Sequence, residues 1–171
     1  MTPVAVRRVR AGIAVSVPLV VAGLVVASFG SARVVNDSMT PTLAAGSVVV
    51  YDRLLPPARG DIVLFADPGG WADEPGAVLV KRVIGIAGDT VACCEAGTGN
   101  LVVNGQPLAE TYIDAARPGG SIRFAVTVPP DGLWVMGDNR SLSRDSRSAL
   151  GDDAHGTVPA SAVRGVVRGA L

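Results

Sequence analysis

The stretch VLVKRVIGI, residues 78–86, is a run of branched apolar residues around Lys81 and Arg82. A short run of this kind, bounded by turn residues, is typical of a buried β-strand. The chain contains fourteen arginines, and Lys81 is its single lysine. Unlike arginine, a buried lysine can lose its proton and act as a general base. The stretch therefore predicts a strand that carries a candidate base, the alternative being a lysine that only covers apolar surface.

Similar short segments, rich in valine and separated by Gly, Pro, Asp or Asn, recur through the rest of the chain. The predicted strands are 47–54, 61–67, 77–86, 90–96, 100–108, 121–128 and 132–138, with one more within 158–171. Asn104-Gly105 is a hairpin-turn signal. The predicted fold class is mostly β: an antiparallel, barrel-like folded sheet with a small β extension at 92–133, preceded by one N-terminal transmembrane helix.

The N-terminal segment is apolar and follows a basic tail. Residues 11–30 carry no charge and are long enough to cross a bilayer as a helix, while Arg7, Arg8 and Arg10 precede them. The positive-inside rule then predicts a cytoplasmic tail at 1–10, a transmembrane signal-anchor helix at 11–32 and an extracytoplasmic β domain at 33–171. A cleaved secretory signal is the alternative, because Gly30-Ser31-Ala32 is similar to a processing site.

The charge and the metal-binding side chains limit the possible partners. Residues 34–171 carry 11 basic and 15 acidic residues, a net charge of −4, which argues against nucleic acid as a partner. The cysteines, Cys93 and Cys94, are adjacent, and His155 is the single histidine. These are too few ligands for a zinc site, so we expect no metal and no cofactor.

A candidate nucleophile lies just beyond the apolar segment, in NDSMTPTL (36–43), where Pro41 prevents a helix from running through Ser38. A loop serine alone indicates little. However, four blocks, SMTPTL (38–43), RGDIVLF (59–65), KRVIGIAGD (81–89) and GDNRSLSRDSR (137–147), resemble the bacterial type I signal peptidases in order and spacing. These are membrane-anchored serine endopeptidases that remove signal peptides from exported proteins. The resemblance runs from about Val35 to the C-terminus.

The resemblance implies a Ser-Lys dyad with Ser38 as nucleophile and Lys81 as general base. The Ser38 backbone N–H would be one oxyanion donor, and Asn36 stands where many family members have a serine that gives the second. Ser143 would orient the lysine amine. The residues implied to support the loop behind the dyad are Asp138, Asp145, Arg147 and Arg82.

The same resemblance implies substrates with small residues at the first and third positions before the cut, of the Ala-X-Ala type. The matching pocket residues are Val35, Asn36, Met39, Leu43, Leu79 and Val80. The expected partners are signal peptides of secreted preproteins and the lipid bilayer, and the expected location is the cell membrane, with a single span.

Two other functions fit parts of the sequence. A sortase-like transpeptidase would use Cys93 or Cys94 with His155 and an arginine, although the chain order of these residues is opposite to the sortase pattern. An anchored binding module without activity is the second alternative. The presence of Ser38, Lys81 and Ser143 together argues against it.

Overall fold

The computed structural model describes residues 18, 20–23, 25–113 and 118–171, which are built mainly from short β-strands. The strands are β1 (Phe29–Arg33), β2 (Val48–Asp52), β3 (Ile62–Ala66), β4 (Val78–Gly85), β5 (Thr90–Cys93), β6 (Leu101–Val103), β7 (Gln106–Pro107), β8 (Phe124–Thr127), β9 (Gly132–Met136), β10 (Val158–Pro159) and β11 (Val163–Ala170). Two 3₁₀ helices cover Ser146–Ala149 and Ala160–Ala162. The predicted mostly antiparallel β class is confirmed.

The larger sheet has seven strands in the order β1-β2-β11-β3-β4-β9-β10. Its pairings are antiparallel, and register shifts interrupt β11 against β2 and β3, and β4 against β9. Such bulges bend strands, which lets the sheet curl. In β4, pairing with β3 covers Val78–Arg82, but pairing with β9 starts only at Arg82. One edge of the first half of β4 is therefore without a strand partner among the described residues.

The smaller sheet has four strands in the order β7-β6-β5-β8 and spans Thr90 to Thr127. The predicted extension, 92–133, therefore starts two residues late, and its end overlaps β9 of the larger sheet. The hairpin predicted at Asn104-Gly105 is present, with Val103 opposite Gln106. Both turn residues have positive φ, 52° and 77°, as a tight turn matching the strand twist requires.

β4 and β9 of the larger sheet contribute to two core clusters, because side chains alternate between the two faces of a strand. Leu133 and Val135 pack with Val83 in one core cluster, while Trp134 and Met136 pack with Ile84 in a second. A third, smaller cluster joins residues of the 34–43 segment to β2 and β3; its buried members are Val34, Met39, Leu43, Val49 and Leu64. This third cluster fixes the segment that carries Ser38.

Residues 11–17, 19 and 24 of the predicted transmembrane helix at 11–32 lie outside the described residues. Its predicted end is wrong, because Phe29–Arg33 form β1 and the helical residues before it stop at Ser28. Gly30 lies opposite Tyr51 and Ala32 opposite Val49, so pairing with β2 favours the extended conformation. Within the described part of the chain, no helix combines the length and apolarity that crossing a membrane requires.

Candidate active site

Ser38 and Lys81 meet in the interior, although 43 residues separate them. Lys81 Nζ lies 2.7 Å from Ser38 Oγ and also donates a hydrogen bond to Val80 O at 3.0 Å. Lys81 is 2% exposed and Ser38 9% exposed. Along β4, Lys81 shares a face with Leu79 and Val83 and lies opposite Val63 in β3. The strand thus holds the amine among apolar side chains.

This environment lowers the pKa of Lys81 from its usual value of 10.5 to about 8, because burial disfavours the charged ammonium. The carboxylates of Asp145 and Asp138 act in the opposite direction. A substantial share of the amine is therefore neutral near pH 8. A neutral amine within hydrogen-bonding distance of a hydroxyl can accept the hydroxyl proton.

A lysine held this way should lower the stability of the fold at neutral pH. We expect Lys81→Met to raise the free energy of unfolding at pH 7 by about 1–3 kcal/mol, since the buried ammonium is removed. The unfolded lysine still binds a proton between pH 8 and 10.5 where the folded one has lost it, so wild-type stability rises with pH in that window. The advantage of Lys81→Met should therefore shrink from pH 8 to pH 10. Denaturant unfolding at several pH values checks this, and equal stabilities at pH 7 would contradict it.

The turn around Ser38 is held by the loop that follows β9. The Asn139 backbone N–H donates to Ser38 O at 3.0 Å. Its side-chain amide donates to Asp37 O at 3.1 Å and to Thr40 Oγ1 at 3.0 Å. From the other side, Met39 and Leu43 are buried in the third core cluster. No role for Asn139 was predicted from the sequence, although it lies within the GDNRSLSRDSR block.

Asn36 Oδ1 accepts a hydrogen bond from the Ser38 backbone N–H at 3.1 Å. This N–H is the predicted first oxyanion donor, and in this structure it is capped by Asn36. The predicted donor role of Asn36 requires its side chain to turn, bringing Nδ2 to the place now occupied by Oδ1.

Ser143 lies close to Ser38 but is not hydrogen-bonded to Lys81. Its backbone N–H donates to Asn139 O at 3.1 Å, whereas its buried Oγ has no partner within the described residues. The predicted hydrogen bond to the lysine amine is therefore absent from this structure. Gly137 separates Ser143 from Ser38: a Cβ built on Gly137 would collide with both Ser143 Oγ and Ser38 O.

Two buried ion pairs brace the loop that follows β9. Arg147 donates to Asp145 through Nε at 2.8 Å and through Nη2 at 2.7 Å, and Asp145 also accepts from the Gly137 N–H at 3.0 Å. Arg82 donates in the same two-pronged way to Asp138, at 2.9 and 2.6 Å. The structure thus brings together the four residues that the resemblance assigned to loop support.

A cleft of about 620 Å³ opens beside Ser38 and Lys81. Its lining includes the predicted pocket residues Val35, Asn36, Met39, Leu79 and Val80. Leu43 is not part of it; it is 4% exposed and packs with Val49 and Leu64, because the chain turns back into the core after Pro41. Other lining residues were not predicted from the sequence, among them Trp71, Leu142 and Arg144.

The residues of a sortase-like site are not assembled. The sulfurs of Cys93 and Cys94 are bonded to each other, and Cys93 is buried in the second core cluster. His155 is exposed and lies on a separate cleft of about 760 Å³ whose lining includes neither cysteine. The described residues contain no cluster of three His, Cys, Asp or Glu side chains that could hold a metal ion.

Comparison with known proteins identifies the family. The family described as signal peptidase, peptidase S26, matches residues 8–170. Signal peptidase I of Mycobacterium tuberculosis is 36% identical over 184 residues, covering 78% of this chain and 61% of its own length. Signal peptidase I P of Bacillus subtilis subsp. natto is 33% identical, covering 71% of this chain and 70% of its own length.

A solved structure shares the fold. The crystal structure of a signal peptidase I from Enterococcus faecalis matches with a TM-score of 0.51 and 30% identity, covering 66% of this chain and 97% of that one. The present chain spans less than two thirds of the length of the mycobacterial relative. The match to the family nevertheless extends over nearly the whole sequence. The chain belongs to the signal peptidase family, peptidase S26.

Proposed function

We propose that this protein is a membrane-anchored serine endopeptidase that removes signal peptides from exported preproteins by a Ser-Lys dyad. The observation that carries the proposal is the 2.7 Å contact between Lys81 Nζ and Ser38 Oγ at the edge of an open cleft. Family membership supports the substrate class. The lowered pKa of Lys81 supports its role as the base.

The proposed reaction has two stages. Neutral Lys81 takes the proton of Ser38 as Oγ attacks the scissile carbonyl carbon, and the C–N bond then breaks while the ammonium returns the proton to the leaving amine. Water attacks the resulting ester, with Lys81 again accepting a proton and returning it to Ser38 Oγ. The products are the free signal peptide and the mature protein, and Ser38 and Lys81 end in their starting states.

The oxyanion that forms during the attack needs donors already aimed at it. We assign the Ser38 backbone N–H as the first and Asn36 Nδ2 as the second, with the substrate displacing the cap that Asn36 Oδ1 makes in this structure. Asn36→Ala should then lower kcat by about 10- to 100-fold with little change in KM. Asn36→Ser should recover part of the activity. Wild-type kcat in Asn36→Ala would show that Asn36 only caps the turn and is not an oxyanion donor.

The free edge of β4 suits an extended substrate. Val78–Val80 lack a strand neighbour on the cleft side among the described residues, so a peptide can pair with them as an added strand. Its side chains would then meet apolar walls formed by Val35, Leu79 and Met39. Shallow pockets exclude bulky groups more strongly than they attract small ones, which fits the preference for Ala-X-Ala.

The anchor is proposed on the sequence of residues 11–28, with the N-terminus in the cytoplasm and the β domain outside. Ser38 follows Ser28 by ten residues. A signal peptide is cut just beyond its own apolar segment. The cut site of a membrane-inserted signal peptide would therefore lie at about the same distance from the bilayer as Ser38.

The test is cleavage of a purified preprotein by the full chain in lipid vesicles. We expect one cut after Ala-X-Ala, identified from the mass of both products. A matched preprotein with Trp in place of the final Ala should be cut at least about 100-fold more slowly. Binding without cutting would support the binding-module alternative, and transfer to an added amine in place of water would support a transpeptidase.

A further inference from the structure

A buried ion pair connects the smaller sheet to the loop that holds Ser38. The side chains of Glu110 and Arg140 are each 2% exposed and are in direct contact. Glu110 lies just after β7, whereas Arg140 belongs to the loop after β9. Burying two charges is favourable only where the geometry satisfies both. Because Arg140 also donates to the backbone that packs against Ser38, this pair points to a role beyond stability.

We propose that Glu110 is a positioning residue for the nucleophile. Through Arg140 it fixes the loop after β9, which holds Ser38, and through Tyr112 it fixes Arg82, the neighbour of Lys81 in β4. This inference rests on the proposed Ser-Lys function.

The first connection runs through Arg140. Glu110 accepts from both terminal nitrogens of Arg140, and Arg140 Nε donates to Gly137 O at 3.0 Å. The backbone at Gly137 packs directly against Ser38 O, as the collision of a built Cβ shows. Two residues later, the Asn139 N–H donates to Ser38 O. A shift of Arg140 would therefore displace the backbone that holds the nucleophile.

The second connection runs through Tyr112. Its hydroxyl donates to Glu110 Oε1 at 2.5 Å, and the Arg82 guanidinium lies 3.8 Å from the centre of its ring. Burial, together with the negative charge of Glu110, raises the pKa of Tyr112, so the phenol stays protonated and keeps donating. Arg82 holds Asp138 and is the neighbour of Lys81 in β4.

The single carboxylate of Glu110 thus accepts hydrogen bonds from both Arg140 and Tyr112. Glu110→Gln keeps the size of the side chain but removes the charge, which leaves Arg140 buried without a counter-ion from Glu110. An uncompensated buried cation is costly, so the Arg140 side chain is expected to move toward solvent. The bond to Gly137 O would then be lost or weakened.

The experiment measures kcat, KM and thermal unfolding for Glu110→Gln, Arg140→Met and the double variant, using the preprotein assay with the full chain. We expect each single variant to lower kcat by about 30-fold and to change KM by less than about twofold, because small misplacements of reacting groups lower the rate of chemistry more than binding. The double variant should be within about fivefold of Arg140→Met, well short of a further 30-fold loss, since Glu110 acts mainly through Arg140 and in part through Tyr112.

Asp89→Asn is the matched control. Asp89 is also buried, at 6% exposure, and holds an arginine, Arg59, at 2.6 Å, but its recorded hydrogen bonds go to residues outside the 137–147 loop. It should lower the unfolding temperature while keeping kcat within about twofold of wild type. If Glu110→Gln does not fold, Tyr112→Phe removes only the hydroxyl and should still lower kcat by about fivefold.

Wild-type kcat in Glu110→Gln, an equal loss of kcat in Asp89→Asn, or losses that multiply in the double variant would each overturn the inference. Ser38→Ala, assayed in parallel, separates this failure from that of the proposed function. If Ser38→Ala is inactive while Glu110→Gln is fully active, the positioning role is contradicted but the proposed dyad is not. If Ser38→Ala still cuts, both the proposed dyad and the positioning role are contradicted.

Discussion

Ser38→Ala and Lys81→Ala should each lower kcat for preprotein cleavage by at least about 10⁴-fold, the largest effect expected of any substitution in this chain. In the proposed mechanism, Ser38 Oγ forms the covalent bond and Lys81 Nζ, 2.7 Å away, takes its proton. Because the two act as a unit, the double variant should be no slower than either single variant. Lys81→Arg should be equally inactive, since a guanidinium keeps its proton at any accessible pH.

The control for these variants is Ser161→Ala, which alters an exposed serine far along the chain from both residues and should cut like wild type. All five variants should remain folded, and Lys81→Ala should lose the buried ammonium without losing the β4 pairing. Normal cleavage by either alanine variant would show that the dyad is wrong. Loss of activity on blocking the cysteines alone would instead favour the transpeptidase alternative.

Gly137→Ala should lower kcat by about 100-fold or more, which is the second largest effect expected. A Cβ at this position would collide with Ser38 O and Ser143 Oγ and would approach Ser143 Cβ to 2.5 Å. Two of these neighbours belong to the backbone or the stem of a side chain, so the 137–143 loop and the Ser38 turn must move apart. Displacing a nucleophile by about 1 Å is enough for an effect of this size.

Gly151→Ala is the matched control, because a Cβ built there has no neighbour within 4 Å. It should be as active as wild type. The steady-state parameters should show the loss in Gly137→Ala mainly in kcat, and thermal unfolding should confirm that the variant is folded at the assay temperature. A Gly137→Ala protein with wild-type kcat would show that the close packing of this loop against Ser38 is not needed for activity.

Short-range patterns in the sequence predict most strands of this fold. Alternation and turn residues are local properties, so β2, β3, β4 and β9 could be located to within two residues. β1 could not be located, because Phe29–Arg33 begin inside the apolar segment, with no turn signal just ahead of them. Only pairing with β2, which is a long-range contact, makes these residues a strand.

The parts of the candidate site that depend on residue type alone could be predicted from the sequence. The single lysine in an apolar strand indicated a base, and the four blocks placed Ser38 with it. What sequence could not give is side-chain direction in loops. Leu43 was assigned to the pocket but lies in the core, and Ser143 makes no hydrogen bond to Lys81 in this structure.

The residues missed altogether depend on contacts between distant segments. Glu110 and Arg140 are 30 residues apart, and neither has a local signal that would predict a buried ion pair. Arg140 lies in a block of mixed charge that reads as a solvated loop. Trp71 likewise joins the cleft wall only because the 67–77 segment folds back over β4.

The claim on which the others depend is that Lys81 is a desolvated amine, and the composition of this chain allows a direct measurement. Because Lys81 is the single lysine, protein labelled with ¹³C at the lysine ε carbon gives one side-chain signal that can be followed by NMR from pH 6 to pH 11. The account predicts a titration midpoint near 8. A midpoint near 10.5, the value of a solvated lysine, would contradict it.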